Sequence, residues 1–62
     1  MLTVSRTPAG FWKVLNGCSE VAVVSYGNLG LRVLRGRLYD WEKTAAIRLI
    51  EARMVDYEML PR

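Results

Sequence analysis

The stretch Asp40 to Val55, DWEKTAAIRLIEARMV, constrains the fold more than any other part of the chain. It contains no Gly or Pro, and Ala45, Ala46, Leu49 and Ala52 are strong helix formers, so it predicts one substantial α-helix over 40–55. Asp40 is the expected N-cap, its carboxylate able to accept hydrogen bonds from first-turn amides. Glu42 near the start and Arg48 and Arg53 further on complement the helix dipole.

What precedes the helix reads as strands. Leu2 to Arg6 alternates apolar and polar residues, the pattern of a half-buried strand. Thr7-Pro8-Ala9-Gly10 is a turn, followed by a second strand over Phe11 to Leu15. Asn16-Gly17 suits the centre of a type I′ hairpin turn. A third strand is expected from about Glu20 to Tyr26, then a turn at Gly27-Asn28-Leu29-Gly30. A shorter fourth strand follows over Leu31 to Leu34, which Arg35-Gly36 either bulges or ends. After the helix, 56–62 reads as a tail, an edge strand or a frayed helical extension. The fold class is α+β: a small antiparallel sheet of three to four strands packed against one C-terminal helix, a single domain over 1–62 with the strands in 1–39.

A chain of 62 residues buries roughly 60% of the surface its unfolded form exposes, so its stability is marginal without outside help. Cys18 is the single cysteine and there is no histidine, which excludes an internal disulfide and the common zinc patterns. Association with another chain is the remaining aid. The absence of histidine also removes Ser-His and Cys-His pairs, and Glu20 beside Cys18 disfavours a reactive thiolate. Glu42, Glu51, Asp56 and Glu58 fall at expected solvent-facing positions. The glycines match neither a phosphate-binding loop nor a dinucleotide fingerprint, so neither enzymatic activity nor a cofactor is expected. The N-terminus has no long apolar run and Val21 to Val24 is far too short to span a bilayer, so the expected setting is soluble and cytoplasmic.

The apolar pattern exceeds what one packing face needs. At about 100° per residue, Trp41, Ala45, Leu49 and Ala52 gather on one side of the helix, and Ile47, Ile50 and Met54 on nearly the opposite side. The third strand is apolar on both faces, with Val21 and Val23 opposing Ala22, Val24 and Tyr26. One reading is that loops and tail cover the surplus. The other makes Ile47, Ile50, Met54 and Tyr57 a docking patch, with Arg35 and Arg37 as rim charges, since Met and aromatic residues make adaptable contacts.

The first function expected is therefore a non-enzymatic protein-binding module, a small inhibitor or adaptor that blocks a larger partner, with homodimerisation through the same helix. Size and composition are analogous to accessory proteins of phages and mobile elements. The alternative follows from charge: 1–39 carries Arg6, Lys13, Arg32, Arg35 and Arg37 against Glu20, a net of +4, whereas 40–62 nets −1. Those five basic residues could lie against nucleic-acid phosphates. The strand–turn–strand rhythm matches no diagnostic family motif residue by residue.

Overall fold

The computed structural model describes residues 1–59, with side chains through Val55. Four strands, β1 (Leu2–Arg6), β2 (Trp12–Asn16), β3 (Ser19–Gly27) and β4 (Gly30–Gly36), precede one helix, α1 (Asp40–Met59). The strands pair antiparallel in chain order, β1-β2-β3-β4. Such a meander needs only short turns, and the sequence supplies them.

Between β1 and β2, Gly10 N donates to Thr7 O at 3.0 Å, and Phe11 N donates to Thr7 Oγ1 at 3.0 Å. At the β2–β3 turn Asn16 pairs with Ser19, so the central residues are Gly17 and Cys18. Gly17 has φ +64°, and among the described residues no non-glycine has a positive φ. One positive φ at the first central position is the type II′ pattern, so the turn lies one residue later than the I′ assignment to Asn16-Gly17.

Alternation then sorts the side chains. Val4, Trp12, Val14, Ala22 and Val24 are buried on one face, with Leu2, Tyr26, Leu31 and Val33 packed partly against them. α1 covers this face through Ala46 and Ile50, which are fully buried, and Met54 and Leu49 at their flanks. The sheet-facing row of the helix is therefore Glu42, Ala46, Ile50 and Met54, spaced by four. Ile50 belongs to the protein's own core, which removes it from the docking patch expected of it; burying it fully is worth about 2 kcal/mol.

The helix begins at Asp40 as expected, but its N-cap differs. Lys43 N donates to Tyr39 O at 2.9 Å, the first intrahelical bond, so Tyr39 is the N-cap and Asp40 the first helical residue. Glu42 reaches back and accepts a 2.8 Å hydrogen bond from Tyr39 N, half of a capping box. Glu42 is only 6% exposed, not solvent-facing as its position suggested. The helix runs on to Met59, so 56–59 is neither tail nor edge strand; 60–62 fall outside the described residues.

Candidate interaction surfaces

Two surfaces remain outside the core, on opposite sides of the molecule. The first is the outward face of α1. Trp41 is 63% exposed and Val55 51%, and Ala52 is exposed in line with them. Ala45 lies in the same stripe and is half-buried. The helix therefore turns its Ile50 side to the sheet and its Trp41 side outward, the reverse of the expected assignment. Ile47 is half-buried on the flank, and the side chain of Tyr57 lies outside the described residues.

The second surface is the face of the sheet turned away from α1, and the register assembles it. Ser5 pairs with Lys13, Lys13 with Val23, and Val23 with Arg35, so one row crosses all four strands. Arg32 pairs with Ser25 on the same face. Thr3 and Glu20 each pair with Leu15 there. Lys13, Arg32 and Arg35 are exposed, and Leu15, Val23 and Ser25 between them are half-buried. The bulge in β4 between Val33 and Arg35 brings Arg35 opposite Val23, a placement that the residue count alone does not reveal. Arg35 donates to Glu20 at 2.6 Å, an exposed ion pair of small energetic weight.

Of the five basic residues considered for nucleic acid, the fold thus gathers three. Arg6 is the register partner of Trp12 and sits with its guanidinium carbon 5.0 Å from the indole centroid, a cation–π contact on the helix side. Arg37 lies past the end of β4, in the link to α1. Arg35 is separated from the helix by the sheet, so it cannot rim a patch on α1; Arg37 is exposed in the link that leads into α1.

The chemistry of the remaining groups is plain. Cys18 is a free, exposed thiol at the β2–β3 turn. Among the described residues, no three His, Cys, Asp or Glu side chains converge on a common point. A shallow cleft of about 520 Å³ opens at the β3–β4 hairpin, lined by Tyr26, Leu29, Leu31 and their neighbours, with Arg32 its one charged group. Beside it, the Tyr26 phenol is held above its ordinary pKa by desolvation first, then by the charge of Glu51 and a hydrogen bond to it. No helix among the described residues is long and apolar enough to cross a membrane.

Fold and surfaces together define a small α+β domain, a β-meander closed on one side by a C-terminal helix. Compared with protein-family models, curated proteins and solved structures, the chain shows no match.

Proposed function

We propose that the chain is a non-enzymatic protein-binding module, a small inhibitor or adaptor that occupies the surface of a larger partner through the outward face of α1. The observation that carries this reading is Trp41, 63% exposed on a helix whose other side is fixed in the core. An indole is large and rigid, and the residue type is enriched among those that dominate binding energy at interfaces. Ala45 and Ala52 let a partner backbone approach closely beside it, Val55 extends the face by a turn, and exposed Arg48, seven residues from both Trp41 and Val55, places a cation within it. Arg37 supplies a charge at the rim and half-buried Ile47 lies on the flank, whereas Met54 packs toward the core and is not part of this face. The mechanism is occupancy: the partner's surface is blocked or bridged, with no bond made or broken. The same face serves a homodimer. The setting we assign is the cytoplasm, where Cys18 stays a reduced thiol.

The test compares wild-type chain with a Trp41→Asp, Val55→Asp variant as immobilised bait in lysate of the native host. The reading requires a protein retained by the wild type and lost from the variant, while the variant keeps its circular dichroism spectrum. Equal retention by both baits refutes it. Light scattering after size exclusion, read against the 7.1 kDa chain mass, decides whether self-association accompanies partner binding.

A further inference from the structure

The face of the sheet away from α1 differs from the helix in charge and in composition, and it points to a different partner. Its cations come from β2 and β4 and, among the described residues, its one carboxylate from β3: Lys13, Arg32 and Arg35 against Glu20. The other carboxylates whose side chains are described, Asp40, Glu42 and Glu51, belong to α1, where Lys43, Arg48 and Arg53 match them in number. The described part of α1 is thus balanced in charge, whereas this sheet face carries a net positive charge of the kind that draws in a polyanion.

Between the cations the floor consists of half-buried Leu15, Val23 and Ser25, with the hydroxyls of Thr3 and Ser5 toward the β1 edge. Phe11 precedes Trp12 and so falls on the opposite side of the chain from that buried indole; it is 39% exposed at the margin of this face. Cations, hydroxyls and an accessible aromatic ring over an apolar floor match phosphates, sugars and bases respectively. We propose that this open face binds single-stranded nucleic acid, with Lys13, Arg32 and Arg35 on phosphates and a base stacked on Phe11. Duplex fits poorly. Four strands at their usual spacing span about 14 Å before side chains are counted, wider than the roughly 12 Å major groove.

Arg35 carries the discriminating feature. It is engaged by Glu20 at 2.6 Å, so a phosphate must compete with that carboxylate for the guanidinium. Removing the Glu20 charge should therefore strengthen binding, an effect that a generic loss of structure cannot imitate. This inference goes beyond the protein-binding reading and uses the opposite side of the molecule, so either can fail alone.

The experiment is fluorescence anisotropy of the full chain with labelled single-stranded DNA, single-stranded RNA and duplex DNA oligonucleotides, across a salt series. Single strands should bind, with log K falling against log salt with a slope of about −2 for three phosphate contacts. Lys13→Glu and Arg32→Glu should each weaken binding at least about fivefold, Phe11→Ala about tenfold, and Glu20→Gln should tighten it about threefold. Arg53→Glu, an equal charge change on α1, should alter it less than about twofold. The RNA and DNA arms identify which strand is preferred. Absence of binding at low salt, a duplex bound as tightly as the single strand, or a Glu20→Gln variant no tighter than wild type would overturn the proposal.

Discussion

Gly36 is packed against Ala22 with no space for a side chain: a Cβ at Gly36 would lie 2.9 Å from Ala22 Cα and overlap the Val21 carbonyl oxygen. Both neighbours are backbone, and Gly36 also has φ +83°, where L side chains are strained. Gly36→Ala should therefore cost about 2 kcal/mol or more, combining left-handed strain with a clash that only backbone movement relieves. Urea unfolding of the variant measures it; a loss below about 0.5 kcal/mol would mean that the close approach is not maintained in solution.

Glu42 should behave as a structural residue. Its carboxylate satisfies the Tyr39 amide at the helix start, and the side chain is buried. Glu42→Ala should cost about 1–2 kcal/mol, while Glu42→Gln, which keeps an acceptor oxygen, should cost clearly less. The same urea titration reads the difference. Equal losses in both variants would instead assign the effect to charge.

The two sides of α1 should separate stability from binding. Ile50→Ala leaves a cavity in the core and should cost about 2–5 kcal/mol. Trp41→Ala removes a far larger side chain from the exposed side and should change stability by no more than about 0.5 kcal/mol. Thermal melts of the pair order the two effects. A larger loss from Trp41→Ala than from Ile50→Ala would invert the orientation of the helix described above.

Tyr26 provides a pH signature. Its pKa is raised above 10.0, so the unfolded chain gives up this proton at lower pH than the folded one. The stabilising contribution is therefore complete below the unfolded pKa and is lost as pH rises through the folded one. Tyr26→Phe should lose less stability than wild type when both are taken from neutral to strongly alkaline buffer. Ultraviolet difference titration of wild type against Tyr26→Phe should show the Tyr26 ionisation at higher pH in the folded protein than in the unfolded chain.

Much of the fold is legible in the sequence because local rules and packing agree. β1 begins and ends where alternation places it, the turn after it is built on Thr7 and Gly10, and the helix starts at Asp40. The orientation of α1 is not legible. A helical wheel shows two apolar stripes of comparable weight, and only the tertiary structure decides that Ile50 goes in and Trp41 out. The N-cap is hidden for a different reason: Tyr39 has no side-chain acceptor for first-turn amides, so Asp40 beside it is the stronger local signal. The capping contact comes instead from Glu42, three residues on. The basic face was only partly readable. Alternation can place Lys13; for β4, Arg35-Gly36 signals either a bulge or an end, and only the pairing shows that the strand continues to Gly36 with the extra residue at Leu34, which resets the phase before Arg35.

The meander runs outward from β1 to β4, yet α1 returns to lie over β1, where its closest contacts with the sheet are made. During synthesis on the ribosome, the hairpins can zip as they emerge, but Trp12, Val14 and Val24 stay wet until α1 has followed them out. The nascent sheet must therefore spend that interval with its greasy side uncovered. A ribosome stalled before Ile50 would display a sticky sheet without its cover, the kind of species that chaperones exist to shield.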